Sequence, residues 1–525
     1  MTDSSLISRL ENAISSLPDR YPGPGGAVAI VKDGKTLIRH TWGYANIERR
    51  IPFTPASLFR MCSITKQFTC GVMLDLFPDP SELDRDLDER LPQLDEPSPT
   101  MLHLAHNQSG LRDYWAVAML HGSPIEGAFG DREADHVIRG TRTLQFQPGT
   151  SYSYVNQNFR LISDILQDRT ERHFSELLQK SIFEPANMER AILAADTRAM
   201  PDGTTGYEGT VETGFRAAVN NIIWTGDAGL GASLDDMIAW EKFIDSTHHN
   251  PDGLYNRLSA PTYFDNGSPA SYGFGLQRAE MFGHKVTLHG GALRGWRSHR
   301  LHVASQRLSI VVMFNHMSPA HLAASSLLAT ALNIPKNDTP PSSISSNLYG
   351  AYLEEDTGLS VRIEPDNLNG IRLRYLMLPE VLTSITPNQA ESASVTLTRH
   401  DEKRLIMERP AENRRSILTE CTPFNAKEDR ADLEGTYRCN ELDEAEITIS
   451  LTGTTVYGAF SGILGDGQME PLRPIAQDLW VLPCPRALDH TAPGDWTLSF
   501  IRDGSGIKAI RVGCWLARDL IYDRV

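Results

Sequence analysis

Between residues 333 and 347 the chain changes texture, and that change constrains the fold more than any other feature. The stretch carries Pro335, Pro340 and Pro341 with Ser342, Ser343, Ser345 and Ser346, the composition of a linker. Upstream of it, apolar residues recur at helical spacing in several segments. Downstream, the pattern turns to short alternating runs at 359–363, 371–375, 395–397, 447–451, 479–482 and 496–500, which reads as an all-β region. A chain of 525 residues also exceeds the roughly 250–300 at which one core stops growing. Separate domains follow from both arguments, with boundaries at 1–333, a linker at 334–347, and β regions at 348–425 and 426–525.

The upstream region begins with Leu6, Ile7, Leu10, Ile14 and Leu17 on one helical face, ended by Pro22-Gly23-Pro24-Gly25-Gly26. Runs at 27–31 and 36–40 flank Asp33-Gly34, a strong hairpin signal. Helical patterns at 62–76, 159–170, 175–182 and 234–244 follow, then a buried strand at 308–314 and a closing helix at 322–332. This order describes an α+β sheet whose first and last segments can lie side by side. In the β region, Leu348-Tyr349-Gly350-Ala351-Tyr352 resembles Leu433-Glu434-Gly435-Thr436-Tyr437, 85 positions later. Two tandem antiparallel barrels would explain the repeat. One larger sandwich with a chance similarity is the alternative.

A formal charge of -16 without basic runs argues against nucleic acid or anionic membrane as partners. The segment Met1-Thr2-Asp3-Ser4-Ser5-Leu6-Ile7 has no basic and apolar succession of a signal peptide, and no apolar run approaches about 18 residues. A soluble, unexported, cytoplasmic protein is expected. Cys62, Cys70, Cys421, Cys439, Cys484 and Cys514 form no CxxC pair, so reduced thiols are expected, with neither a metal site nor a cofactor.

The chemistry centres on Ser63-Ile64-Thr65-Lys66, within a segment where Ile64, Phe68, Val72 and Leu76 make an apolar stripe. Residues three apart share a helical face, so the Ser63 hydroxyl and Lys66 ammonium can meet. The helix start favours a developing alkoxide, and a desolvated lysine there can exchange a proton with the serine. Ser505-Gly506-Ile507-Lys508 repeats the spacing next to strand-like residues, so helical context is what singles out Ser63. Cys62 adjoins it, but no base signal gives that thiol a role.

Tyr154-Val155-Asn156 lies between a Pro148-Gly149 turn and the next helix. Its tyrosine can relay protons, and its asparagine can bind a substrate carbonyl or Lys66. Tyr44-Ala45-Asn46 has the same pattern and is expected to fill a turn. His289-Gly290-Gly291, the only His-x-Gly in the chain, follows a strand-like run; its glycines, Gly291 among them, admit a substrate backbone, and its histidine places a polar group over the serine.

Ser-x-x-Lys, Tyr-x-Asn and His-x-Gly in this order resemble the superfamily of class C β-lactamases and penicillin-binding proteins. Its commoner later motifs are Ser-Asp-Asn and Lys-Thr-Gly, so here tyrosine replaces a serine and histidine a lysine. A neutral histidine recognises a substrate carboxylate poorly, which argues against a D-alanyl carboxypeptidase or an efficient β-lactamase. Asn107-Gln108-Ser109-Gly110-Leu111-Arg112-Asp113-Tyr114 resembles the superfamily's Ser-Gly-Leu loop. With His289-Gly290-Gly291-Ala292-Leu293-Arg294-Gly295-Trp296 and two appended β regions, the chain is similar over its length to the bacterial D-aminopeptidases.

That resemblance implies a β-lactamase/transpeptidase-like α+β domain followed by two antiparallel β-barrel domains. It also implies a homodimeric serine hydrolase that releases N-terminal D-alanine and other small D-residues from peptides, amides and esters through an acyl-enzyme on Ser63, with β-lactams as inhibitors. The rivals are a D-stereospecific amidase or esterase without a free-amine requirement, and a peptide-binding protein without catalysis. An aminopeptidase must also bind the substrate's ammonium. The connection Pro485-Arg486-Ala487-Leu488-Asp489-His490-Thr491-Ala492-Pro493-Gly494-Asp495 exceeds the about two to five residues of a hairpin loop. In the D-aminopeptidases such a loop reaches the catalytic cleft and its aspartate contacts the substrate. Asp489 is the matching position, and Asp495 the fallback.

Overall fold

The computed structural model describes residues 3–335, 346–366, 370–424, 430–484, 488, 494–504 and 506–525. Of the expected linker, residues 336–345 lie outside the described residues, as do 485–487 and 489–493 of the long loop.

Asp33 and Gly34 both take positive φ angles, 51° and 71°, which joins Gly25–Lys32 to Lys35–Asn46 as a tight hairpin. Gly25–Lys32 is sandwiched on its other edge by Leu308–Phe314, so the first and last segments of the region are neighbours. The full sheet runs in the order Tyr272–Gly273, Leu276–Met281, His284–Leu293, Trp296–Val303, Leu308–Phe314, Gly25–Lys32, Lys35–Asn46 and Ile51–Pro52. Gly25–Lys32 and Leu308–Phe314 are largely apolar on both faces because both faces are covered. Val28 and Ile30 pack with the helices Asp3–Ser15 and Ala320–Ala331, whereas Ala27, Ala29 and Val31 join a second, larger core beneath the helices that begin with Thr65–Leu76.

The helical patterns appear with small extensions. The 62–76 pattern begins as a 3-10 turn, Cys62–Ile64, and continues as the α-helix Thr65–Leu76. The 175–182 pattern is a short α-helix, Phe174–Leu178, that widens into a π-helical turn, Gln179–Phe183. One expectation needs correcting: Tyr44-Ala45-Asn46 ends the strand Lys35–Asn46, where Tyr44 pairs with Pro52. The Asn46 amide donates to Gly203 O and Thr205 Oγ1, so its polar group ties down a neighbouring loop. None of the described helices is long and apolar enough to cross a membrane.

Downstream, eight antiparallel strands from Gly350–Glu354 to Arg414–Glu420 close into a barrel, because the first strand pairs with both the second and the last. The remaining strands make a ten-stranded antiparallel sheet, curled as a half-barrel, in which Gly435–Cys439 lies beside Ala517–Arg524. Both repeat segments open their unit identically. Gly350 and Gly435 have φ of 152° and 155°, which favours glycine, and Tyr352 and Tyr437 are fully buried. Tyr352 Oη donates to Leu348 O at 3.0 Å, and Tyr437 Oη to Leu433 O at 2.8 Å.

The two β units relate differently to the upstream α+β region. The closed barrel has its own core, while the apolar interior of the last sheet is continuous with that beneath the upstream helices. Asp113 N donates to Leu516 O, and Arg112 Nε to Arg518 O, both at 3.0 Å. The final hairpin is thereby fixed against the loop behind the candidate site.

Candidate active site

Ser63 sits on a turn held from several sides. Met61 N donates to Leu230 O, Thr65 Oγ1 donates to Cys62 O at 2.6 Å, and Leu230 N donates to Thr65 Oγ1 at 2.9 Å. Cys62, immediately before the serine, has a φ of 51°, a conformation costing about 1–3 kcal/mol for a residue with a side chain. That strained turn presents Ser63 at the entrance of the helix Thr65–Leu76.

Lys66 is fully buried. Its Nζ lies 3.1 Å from Ser63 Oγ, 2.9 Å from Asn156 Oδ1 and 2.7 Å from Asp227 O. Three acceptors match the three protons of an ammonium, which is how a buried lysine charge is made tolerable. The rings of Tyr154 and Phe159 lie 5.0 and 5.4 Å from the same nitrogen and add cation–π attraction. Ser63, Lys66, Tyr154 and Asn156, separated by 93 positions at most, therefore converge on one nitrogen.

Asn156 is positioned by Asp113. The carboxylate oxygen Oδ2 accepts both the backbone N–H of Asn156, at 2.6 Å, and its Nδ2, at 2.9 Å. Burial pushes the Asp113 carboxyl up to about 6, against the lowering pull of the Asn156 and Trp115 N–H groups and of Lys66.

His289 is held as a neutral ring. Its Nδ1 lies 2.6 Å from Gly290 O, and a carbonyl only accepts, so Nδ1 carries the proton. Nε2 is then the acceptor for the Tyr272 hydroxyl at 3.0 Å. Burial, reinforced by the Lys66 charge, lowers the His289 pKa to about 3. The position that holds a lysine in the commoner motif is thus uncharged here.

The strand His284–Leu293 has an asymmetric edge. Leu276–Met281 pairs with residues 284–288 and stops, whereas Trp296–Val303 pairs onward to Leu293. From His289 the outer edge faces the cavity, available to an extended peptide. A Cβ on Gly291 would run into Met61 O and Ser298 Oγ. The close approach that requires glycine there is made by the turn bearing Ser63, not by substrate alone.

Sequence reasoning missed Tyr272 and Asp227. Asp227 offers its carbonyl to Lys66, and its Oδ2 accepts from Tyr114 Oη at 2.6 Å. No local pattern marks either residue. The copy at Ser505 is different in kind: Ser505 lies outside the described residues, and Lys508 is on the strand Gly506–Cys514.

A cavity of about 770 Å³ extends from Ser63, Tyr154, Asn156 and His289 to a far wall built from both β units. That wall includes Arg362, Met377, Asp495 and Trp515. Of the long loop, Leu488 is buried and its carbonyl accepts from Arg294 Nη2 at 3.4 Å, and Gly494 lines the cavity. Asp489, with Pro485, Arg486, Ala487, His490, Thr491, Ala492 and Pro493, lies outside the described residues. Asp495 accepts from Arg473 at 2.5 Å and faces Arg362 at 3.6 Å, so its charge is shared by two guanidiniums. Among the described residues no group of His, Cys, Asp and Glu side chains could hold a metal ion.

Comparison with known proteins agrees with this geometry. A family model described as Beta-lactamase matches residues 10–332, and one described as D-aminopeptidase, domain B, matches 342–523. A D-aminopeptidase of Gluconobacter oxydans is 69% identical over 528 residues, covering 100% of both chains. One from Cereibacter sphaeroides is 43% identical over 519 residues, covering 99% of each. Among solved structures, the octameric penicillin-binding protein homologue from Pyrococcus abyssi superposes with a TM-score of 0.54 at 20% identity, over 79% of this chain and 100% of that one. This last likeness is one of fold.

Proposed function

The chain belongs to the D-aminopeptidase family of β-lactamase-like serine hydrolases, and from that premise we propose that Ser63 is the nucleophile with which it releases N-terminal D-residues. The observation that carries the assignment is the fully buried Lys66 with its Nζ 3.1 Å from Ser63 Oγ and 2.9 Å from Asn156 Oδ1.

Ser63 Oγ attacks the carbonyl carbon of the N-terminal residue, and its proton passes to Tyr154, which acts as the phenolate paired with the Lys66 ammonium. Backbone N–H groups, that of Ser63 among them, hold the oxyanion. As the tetrahedral intermediate collapses, the C–N bond breaks and the departing amine takes the proton back. Water then cleaves the ester on Ser63, with the same pair acting in reverse. Asn156, its Nδ2 donating to Asp113, fixes the lysine through Oδ1. Neutral His289 and Gly291 form the strand edge along which the peptide lies.

Asp489 receives the substrate's free ammonium, the requirement that separates an aminopeptidase from an amidase. The substrates are short peptides, amides and esters with a small N-terminal D-residue such as D-alanine, and β-lactams acylate Ser63 as inhibitors. The working unit is a cytoplasmic homodimer, which sedimentation analysis would check.

Rates on the p-nitroanilides of D-alanine, L-alanine and N-acetyl-D-alanine test handedness and amine dependence together. Turnover confined to D-alanine p-nitroanilide, absent from folded Ser63→Ala, is expected. Equal turnover of the N-acetylated compound would remove Asp489 from its role, and an active Ser63→Ala would remove the nucleophile.

A further inference from the structure

The far wall of the catalytic cavity carries more positive charge than its neighbours neutralise. Arg362 on the strand Ser360–Pro365 and Arg374 on Ile371–Arg374 are cross-strand partners of the closed barrel. Arg473, on Arg473–Ala476 of the last sheet, approaches from the other β unit, and all three line the cavity that contains Ser63. Among the described residues they share two carboxylates. Glu364 accepts from Arg374 at 2.9 Å and lies 3.7 Å from Arg362, while Asp495 accepts from Arg473 at 2.5 Å and lies 3.6 Å from Arg362. Guanidiniums stay protonated throughout the working pH range, so the cluster holds a net positive charge.

Like charges placed directly across an antiparallel pair are unfavourable. Arg362 opposite Arg374 is such a pair, and burial together with the other two guanidiniums lowers its pKa, while Glu364 and Asp495 raise it. An arrangement that opposes stability yet faces the reaction cavity has the character of a functional site. Elsewhere in the cavity wall Arg297 donates to the Leu293 and Trp296 carbonyls. His289 is neutral, and Lys66 directs its three protons to Ser63, Asn156 and Asp227.

We propose that Arg362, Arg374 and Arg473 bind the C-terminal carboxylate of a peptide whose N-terminal residue is at Ser63. This rests on the aminopeptidase reading above. A linear peptide always ends in a carboxylate, whereas an amide or p-nitroanilide does not. The planar fork of arginine suits that group, and a second or third guanidinium lets peptides of different length find a partner. A volume of about 770 Å³ lies in the range of roughly 300–1,000 Å³ that encloses small ligands, enough for a short peptide spanning both walls. The cluster thereby turns an exopeptidase cavity into one that measures peptide length.

The test compares kcat/KM of the full-length enzyme on di-, tri- and tetra-D-alanine as free acids and as C-terminal amides. A preference for the acid of about 10-fold is expected beyond the dipeptide, expressed in KM, and Arg362→Ala and Arg473→Ala should bring the ratio towards one. Arg473 is solvent-accessible, so Arg473→Gln keeps the test open should Arg362→Ala fail to fold. A ratio of one at every length, or a preference that survives both substitutions, overturns the proposal. D-Alanine p-nitroanilide separates the two readings: turnover without any acid preference sinks only the carboxylate site. Were turnover absent altogether, calorimetry of Ser63→Ala with tri-D-alanine acid and amide would still decide, equal affinities overturning it.

Discussion

Asp113 stands directly behind Asn156, its Oδ2 accepting both the backbone and the side-chain N–H of that residue, at 2.6 and 2.9 Å. Because both Asn156 donors point backwards, its Oδ1 is left facing Lys66. Asp113→Ala should release the amide and lower kcat about 10- to 100-fold, with a smaller change in KM, since small misplacements of a positioned group have effects of that size. The same carboxyl, pushed up to about 6 by burial, binds a proton as the medium acidifies and loses part of its acceptor capacity. An acid limb in the kcat profile near pH 6 is expected, and Asp113→Asn should erase it. A limb that persists in Asp113→Asn would assign the titration elsewhere.

Stability should fall on acidification. Burial lowers His106, His289, His299 and His302 to about 3, and His121 and His316 to about 4. Below about 6.5 the unfolded chain takes up these protons and the folded chain does not, so unfolding is favoured progressively as pH drops. Asp113 and Asp164, raised to about 6, act in the opposite direction, because the folded state keeps their protons longer. Six histidines outweigh two carboxyls. Tm measured from pH 8 to pH 5 should decline once pH passes below about 6.5, and a flat profile would contradict the buried neutral rings.

Gly290 and Gly291 should respond differently to alanine. A Cβ at Gly291 meets the Met61 carbonyl and Ser298 Oγ, and so would separate the strand from the turn bearing Ser63. At Gly290 the nearest atom is the His299 Nδ1, at 3.4 Å, ordinary contact. Gly291→Ala is expected to lose at least about 100-fold in kcat/KM, or to fold poorly, while Gly290→Ala stays within a few-fold of the parent. Kinetics with circular dichroism on both variants distinguishes lost geometry from lost fold. Equal behaviour of the two would mean that the strand and turn are not in register contact.

That Ser63 and Lys66 come together was legible because the signal is local: they are three apart in a helical pattern, and Tyr154, Asn156 and His289 follow in an order that narrows the proposed chemistry. The halves of the sheet were legible too, since Gly25–Lys32 and Leu308–Phe314 are apolar but for Lys32 and Ser309, as expected of strands covered on both faces. Partners supplied by distant backbone were not. Lys66 meets the Asp227 carbonyl across 161 positions, and a carbonyl leaves no trace in residue identity. Tyr272 is marked by its spatial neighbours, His289 and the rings of Tyr152 and Tyr154, and by no local pattern. For Arg362 and Arg374, alternation indicates an outward face, but which unit that face looks upon is a matter of domain docking.

The paired glycine and tyrosine corners of the β units offer a test free of catalysis. Tyr352 and Tyr437 each carry a buried hydroxyl that donates to a carbonyl four residues earlier, at 3.0 and 2.8 Å. Removing the hydroxyl removes that bond from both corners, a loss of about 1 kcal/mol each by the usual scale. The surroundings differ. The closed barrel encloses its own core, whereas the last sheet shares its interior with the catalytic region. Tyr352→Phe should therefore lower the barrel's unfolding transition and leave the rate on D-alanine p-nitroanilide nearly intact. Tyr437→Phe should lower the transition that also abolishes activity. Calorimetric scans followed in parallel by residual activity would resolve the two, and identical coupling of activity to both corners would show that the barrel and the catalytic region unfold as one unit.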